Sequence, residues 1–324
     1  MANQKEEFTA AGDKLRNVIT IGVFDGVHRG HQQLISEAVA CARSRGARAI
    51  LLTFKPHPKA LFDPEHMPPM LSTFEERADF ARKLGIDEVV ALPFDKRMAA
   101  MQPEEFIRKV LLETYNAQAV FVGSNFRFGF KAQGTTEVLK AAGEQHGFTV
   151  GVVDLLSEDG GTISSTRIRD LLENANIAEA DKLLGRPYSV TGVVARGAGR
   201  GGKELGFPTA NFYFPDTVAL PRDGVYCGWF RVDTFPNGAE RRGDVVRGVR
   251  YPTAISVGTN PTFGDDARSV EAHVLGRDAD LYDSNATVEF VDFLREMEKF
   301  NSVDDLLTAI RSDVDNALKK LKVD

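Results

Sequence analysis

Apolar positions follow two different rhythms along this chain. From residue 18 to about 176, near-continuous apolar runs at 18–24, 49–54, 88–92, 119–122 and 149–155 alternate with stretches at 30–45, 73–84, 103–115 and 136–146 where apolar residues recur every three or four positions. The runs predict strands buried on both faces, and the spaced stretches predict amphipathic helices. Strands alternating with helices imply a parallel sheet covered on both sides, an α/β domain of Rossmann-like build. In such sheets ligands gather at the carboxyl ends of the strands, near a switch in strand order. Ser164-Ser165-Thr166-Arg167-Ile168-Arg169 opens a further helix, with Ser165 or Thr166 as its N-cap and Leu171 and Leu172 on its apolar face.

Past Leu184 the rhythm changes. Short runs rich in Val, Phe, Tyr and Thr occupy 188–195, 224–232, 251–257, 270–275 and 287–294, broken by Gly and Pro. Short strands at this spacing predict a mainly β domain, an antiparallel barrel or sandwich. Residues 231–249 read as a hairpin or loop. The chain closes on one apolar stripe, Val303, Leu306, Leu307, Ile310, Val314, Leu318 and Leu321, which predicts a long helix. Ser302 before Asp304 and Asp305 starts it, and Lys319, Lys320 and Lys322 suit its C-terminal dipole. A boundary near Leu184 gives two domains, 1–184 and 185–324.

Composition narrows the classes. At 324 residues the chain is long for one core and comfortable for two. A formal net charge of −6 argues against a general nucleic-acid binder. Residues 1–16 are polar and lack the apolar stretch of a secretory signal, and no run reaches the length of a membrane span. The two cysteines, Cys41 and Cys227, fall in different domains, which fits a reducing compartment and predicts a cytoplasmic protein without a membrane partner.

Candidate chemistry begins where the first strand gives way to the first helix. There Gly22-Val23-Phe24-Asp25-Gly26-Val27-His28-Arg29-Gly30-His31 sets two histidines side by side on one face of a first helical turn. A helix N-terminus offers unpaired N–H groups and partial positive charge to phosphate, and imidazoles add donors without permanent charge. His57, in Lys55-Pro56-His57-Pro58, offers the alternative of a three-histidine metal site. The glycines at 22, 26 and 30 favour close approach of backbone to a nucleotide instead. His57 and Asn125 also follow strands, so one sheet edge collects them. The segment resembles the HxGH signature of nucleotidyltransferases that release pyrophosphate. Next to it, the hydroxyls and Arg169 of the 164–169 segment suit triphosphate oxygens.

The second informative stretch is 197–211. Gly197, Gly202 and Lys203 match part of a P-loop, but Glu204 stands where Ser or Thr belongs, and Gly206 and Pro208 forbid the helix that must follow. What remains is a glycine-dense basic loop able to turn backbone N–H groups toward phosphates. Thr209 and Asn211, two apart on an extended strand, present two hard oxygen ligands on one side, as magnesium requires. Glu271 starts an apolar strand and is a candidate base for a hydroxyl attacking a γ-phosphate.

These pieces are joined by Asp223-Gly224-Val225-Tyr226 and Ser256-Val257-Gly258-Thr259-Asn260-Pro261-Thr262-Phe263 in the second half, and by Gly123-Ser124-Asn125-Phe126 in the first. In that order they resemble the bacterial bifunctional riboflavin kinase/FAD synthetase family from about residue 18 to 318. The resemblance implies that the C-terminal module moves the γ-phosphate of ATP to riboflavin, giving FMN. It implies that the N-terminal module joins FMN to ATP, giving FAD and pyrophosphate. By the same resemblance His28 and His31 are catalytic, within an ATP site of Gly22, Phe24, Asp25, His57, Asn125, Ser165, Thr166 and Arg169. In the kinase Glu271 is the base, Gly199, Gly201, Gly202, Lys203 and Gly206 cradle ATP, and Thr209 and Asn211 hold Mg2+. One departure stands out, since Lys55 occupies a position that is acidic in the family. The rivals are a monofunctional adenylyl- or cytidylyltransferase with an accessory β-domain, and a flavin or nucleotide sensor. Oligomeric state is not legible.

Overall fold

The structure, a computed structural model, describes residues 16–196, 207–259 and 268–323. It divides into two compact units. One holds the described residues up to Met67 together with Ser72–Ser164, and the other holds Pro68–Leu71 together with the described residues from Ser165 onward.

In the first unit the main elements run β1 (Asn17–Ile21), α1 (Arg29–Ser44), β2 (Arg48–Lys55), α2 (Phe74–Lys83), β3 (Glu88–Pro93), β4 (Ala117–Gly123), α3 (Thr136–His146) and β5 (Thr149–Val153). The strands pair in parallel in the order β3-β2-β1-β4-β5, as the alternating pattern predicts. The order reverses between β1 and β4, and open α/β sheets bind ligands at the carboxyl ends of strands beside such a switch. Alternate residues of the central strand feed opposite layers. Ile19 and Ile21 pack with Leu52, Val120, Ile107 and Leu139, while Val18 packs with Leu51, Leu34, Ile35 and Ala38. The helix expected at 103–115 forms, but it winds as α only over Pro103–Phe106 and as π over Ile107–Thr114. β1 stops at Ile21 rather than at residue 24, because the backbone turns left-handed at Phe24.

In the second unit α4 (Ser165–Glu173) and α5 (Ile177–Leu184) lead to β6 (Ser189–Val193), β7 (Ala210–Phe214), β8 (Gly224–Thr234), β9 (Arg250–Thr259), β10 (Arg268–Val274), β11 (Asn285–Arg295) and α6 (Val303–Leu321). The strands pair antiparallel in the order β6-β11-β8-β9-β10-β7. A bridge between Ala195 and Asn211 joins the two ends of this order, so the sheet closes as a barrel rather than a sandwich. Phe212, Tyr226, Phe230, Ile255, Val270 and Phe290 are almost wholly buried, the alternate positions of their strands. α6 lays Val314, Ala317, Leu318 and Leu321 against Cys227, Ala254, Leu275, Val291 and Leu294. Ser165 and Thr166 lie inside the first turn of α4 instead of capping it, and the preceding position is Ser164. The stretch after β8 carries the short hairpin Arg241–Arg242 with Val245–Val246.

Candidate functional site

The turn after β1 is built from unusual backbone. Phe24 (φ 55), Gly26 (φ 74) and Val27 (φ 40) are all left-handed. For a β-branched residue such as Val27 this is a true outlier, and it costs of order 1–3 kcal/mol that surrounding contacts must offset. Those contacts are present. The Val23 carbonyl accepts hydrogen bonds from Thr53 Oγ1 at 3.0 Å and from the Arg77 guanidinium at 2.8 Å. Gly26 N–H donates to Ser72 Oγ at 2.9 Å, and Ser72 N–H donates to Asp25 Oδ1 at 3.2 Å. Asp25 is 2% exposed. Its carboxylate is therefore engaged with Ser72 inside the turn, although the family resemblance groups it with the ATP contacts.

The turn delivers both histidines. His28 is the N-cap of α1 rather than part of its first turn, and its Nδ1 accepts from His31 N–H at 3.3 Å. A neutral imidazole that accepts at Nδ1 carries its proton on Nε2, which makes that atom a donor. The two rings stack with centroids 3.7 Å apart and 16° between planes, and Phe24 meets His31 edge-on at 5.2 Å. His31 Nδ1 is buried with no hydrogen-bond partner. Burial, then the neighbouring His28, then Arg77 hold the His31 imidazole well below its usual range, so it is neutral near pH 7. Gly30 is small for a reason internal to the site, since a Cβ there would lie 3.3 Å from the His28 ring. The amides of Arg29 and Gly30 have no helical carbonyl before them.

Other expected nucleotide contacts have separate places. Gly22 N–H donates to Leu52 O at 3.1 Å, and Phe24 is buried in the turn. His57 caps the short helix Pro58–Phe62, its Nδ1 accepting from Lys59 N–H at 3.0 Å. Asn125 is exposed just past β4, the strand beside β1, so it leaves the sheet at the same edge as His28. Lys55 directs its Nζ over the Phe74 ring, 5.4 Å from the centroid. Ser165, Thr166 and Arg169 belong to α4 in the second unit, where Arg169 Nε donates to Pro69 O at 2.5 Å. Among the described residues no three His, Cys, Asp or Glu side chains gather as metal ligands, which removes the three-histidine alternative there. Arg77 and Ser72 were not legible as site residues. Arg77 lies beside Glu75 and Glu76 on an amphipathic helix, a pattern that reads as solvated surface.

In the barrel, Asn211 of β7 pairs directly with Glu271 of β10, which pairs in turn with Ser256 of β9. The alternation of the strands puts this polar row on one face while Phe212, Val270, Ala272, Ile255 and Val257 fill the core. Asn211 is 7% exposed, and its Nδ2 donates to Thr209 O at 3.2 Å. That bond turns the amide nitrogen toward Thr209 O and leaves Oδ1, a hard oxygen, as a candidate metal ligand. The donor set fits Mg2+ bound largely through phosphates and water. Burial raises the Glu271 carboxyl, and burial, then the neighbouring Glu271, raises the Tyr213 phenol. His273 Nδ1 bonds Pro208 O at 2.8 Å and fixes the approach to β7. Arg268 grips Asp223 Oδ1 at 2.6 Å and Pro221 O at 2.6 Å, tying the start of β10 to the start of β8. The expected ATP-cradling residues Gly199, Gly201, Gly202, Lys203 and Gly206 lie outside the described residues, as does 260–263.

A parallel-sheet unit with stacked histidines at its switch point, joined to an antiparallel barrel with a polar row around Glu271, defines a two-centre nucleotide-dependent transferase. A family described as FAD synthetase matches residues 11–167, and one described as riboflavin kinase matches 184–321. The bifunctional riboflavin kinase/FMN adenylyltransferase of Pseudomonas fluorescens is 34% identical over 298 residues, 92% of this chain and 90% of the relative. That of Escherichia coli (strain K12) is 33% identical over 296 residues, 91% and 90%. A solved Streptococcus pneumoniae structure described as a macrolide-efflux protein superposes with a TM-score of 0.81 at 31% identity, covering 94% of each chain. No helix among the described residues is long and apolar enough to cross a membrane. The chain belongs to the bifunctional riboflavin kinase/FMN adenylyltransferase family.

Proposed function

We propose that the barrel phosphorylates riboflavin and the parallel-sheet unit adenylylates the FMN produced, so that one chain makes FAD in two steps at two separate centres. In the barrel Glu271 takes the proton of the ribityl 5′-hydroxyl as that oxygen attacks the γ-phosphorus of ATP, and ADP leaves. Burial raises its carboxyl, which makes it a stronger base than a surface glutamate. Thr209 and Asn211 would hold Mg2+, which would offset phosphate charge when bound, and Gly199, Gly201, Gly202, Lys203 and Gly206 bind the phosphates. In the other centre an FMN phosphate oxygen attacks the α-phosphorus of ATP and pyrophosphate leaves. His28 donates from Nε2 and neutral His31 supports it by stacking, so charge growing on the phosphates meets fixed donors. Positioning and electrostatics carry both steps, with no covalent intermediate on the protein.

The functional modules are assigned to 1–184 and 185–324. ATP, riboflavin and FMN are the partners, with no nucleic acid or membrane among them, and the location is the cytoplasm. Two free thiols, Cys41 and Cys227, support that location.

The observation that carries the kinase reading is the pairing of a half-buried carboxylate, Glu271, directly opposite Asn211. The test uses the full chain with riboflavin or FMN and Mg–ATP, separating FMN and FAD by chromatography. Glu271→Gln keeps the size of the side chain but accepts no proton, so riboflavin phosphorylation should fall roughly 10²–10⁴-fold while FAD synthesis from supplied FMN continues. His28→Ala should do the reverse, lowering FAD synthesis about 10²-fold or more and sparing FMN formation. Parental phosphorylation in Glu271→Gln, or equal loss of both reactions in a folded His28→Ala protein, would overturn the assignment.

A further inference from the structure

Arg77 is a buried cation that the two reactions above do not use. It lies in the first turns of α2, is 8% exposed, and has come out of water at a cost that only well-placed partners repay. Its guanidinium donates to Val23 O at 2.8 Å and through Nε to Thr73 O at 3.3 Å. The Val23 carbonyl is the last backbone group before the left-handed residues Phe24, Gly26 and Val27. Phe24 then meets His31, and His31 stacks on His28. A contact spanning 54 residues of sequence thus ends two side chains away from the transfer centre. An apolar side chain of similar size would fill the same space without the desolvation cost. It would leave the Val23 carbonyl with Thr53 as its other donor.

We propose that Arg77 is a positioning residue for adenylyl transfer, its guanidinium fixing the Val23–Val27 turn and through it the seat of His31 and His28. The proposal rests on reading those histidines as the transfer centre. Electrostatics act in the same direction. The charged or titratable groups that face His31 are His28 from its own turn and Arg77 from α2, and both favour the neutral imidazole. Asp25, Glu75 and Glu76 face Arg77 in turn and keep it charged against the effect of burial. Arg77 therefore acts twice, as a clamp on the backbone and as a positive neighbour that adds to burial and His28 in lowering the His31 imidazole.

The test compares Arg77→Met and Arg77→Lys with the parent in the full chain, measuring FMN adenylylation across pH and riboflavin phosphorylation as an internal control. Arg77→Met should lower the adenylylation kcat roughly ten- to a hundred-fold, the scale of a misplaced catalytic group, with a smaller change in KM for ATP. The acid limb of the adenylylation profile should move to higher pH, because His31 protonates more readily once the neighbouring charge is gone. Phosphorylation should be unchanged. Arg77→Lys keeps the charge but not the fork, so it should lower kcat several-fold and leave the acid limb in place. If Arg77→Met does not fold, Arg77→Lys decides the matter, and parental kcat in that variant overturns the proposal. A loss in Arg77→Met with an unmoved acid limb and no recovery in Arg77→Lys reduces Arg77 to packing and overturns it too. His31→Ala run in parallel separates the two failures, since parental adenylylation there sinks the reading of the centre itself.

Discussion

Gly30 sits under the His28 ring, and the space it leaves is a specific prediction. A Cβ at that position would stand 3.3 Å from the ring, tighter than nine in ten real contacts of its kind. The ring cannot give way easily, because His31 covers it at 3.7 Å and His28 is 6% exposed. Gly30→Ala should therefore lower FAD synthesis roughly ten-fold, less than the 10²-fold of a full 1 Å misplacement. Riboflavin phosphorylation should hold. Thermal stability should change little, since the gain of about 1 kcal/mol for Ala over Gly in a helix offsets the crowding against the ring. Unchanged FAD synthesis would mean that the stacked geometry does not matter to the rate. The same few residues show what a sequence discloses at this scale. His28, His31, Thr209, Asn211 and Glu271 could be singled out as candidates because local backbone signals, a helix start or a strand alternation, set their direction. Ser72 and Arg77 could not be, because their bonds to the turn cross 46 and 54 residues and leave no local trace. Asp25 reads as a ligand contact for a related reason. An acid in a glycine-rich turn looks available until its partner Ser72 is seen.

At the scale of elements, caps and periodicity carried most of the information. α2 has the reciprocal box of Thr73 and Glu76, and α6 has Ser302 accepting from Asp305 N–H, so both begin within a residue of expectation. β1 was overextended because Val23 and Phe24 are apolar whether the backbone is extended or left-handed. The junction after α5 holds a feature that periodicity could not reveal. Gly185 N–H donates to Asp181 O at 2.7 Å, and Tyr188 N–H donates to Asp181 Oδ1 at 2.6 Å, so one aspartate ends the helix and starts the barrel. Burial raises its carboxyl to about 7, with the Tyr188 bond and Arg186 pulling down and Glu289 pushing up. A folded pKa above the unfolded value means that the folded state binds the proton more tightly. The stabilisation is then full below about 3.8 and is lost as pH rises through about 7. Asp181→Asn keeps an oxygen for Tyr188 and removes the charge. Unfolding of this variant in denaturant should show roughly 1–2 kcal/mol more stability than the parent at pH 8, a discounted figure because the carboxyl still meets some solvent, and little difference near pH 4. A variant less stable than the parent at pH 8 would show that the ionised carboxylate is the stabilising form.

For the whole molecule, the pattern disclosed two domains but not where packing divides them. Periodicity changes after Leu184, yet α4 and α5 belong to the same compact unit as the barrel. Ile168, Leu172, Ile177, Ala180, Leu183 and Leu184 are all at most 1% exposed. Arg222 N–H donates to Leu172 O at 3.0 Å, and α5 lies on β11. Pro68–Leu71 joins the same unit, with Met70 N–H donating to Thr217 O at 2.7 Å and Ala219 N–H to Met70 O at 2.9 Å. A change of apolar rhythm marks where helices stop and strands start, whereas which core a helix serves depends on surfaces far away in sequence. The consequence is measurable in fragments. Residues 165–324 and 185–324 both contain Thr209, Asn211 and Glu271, so both should phosphorylate riboflavin when folded. They should differ in stability. Each buried Leu or Ile on α4 and α5 is worth about 1.5–3 kcal/mol of apolar burial, partly offset by the entropy of ordering two helices. Against a typical domain stability of about 5–15 kcal/mol that difference is large. Fragment 165–324 should unfold cooperatively in thermal melts, and 185–324 should melt at least several degrees lower, with its kinase activity failing at correspondingly lower temperature. Equal melting temperatures would show that α4 and α5 rest on the barrel without stabilising it.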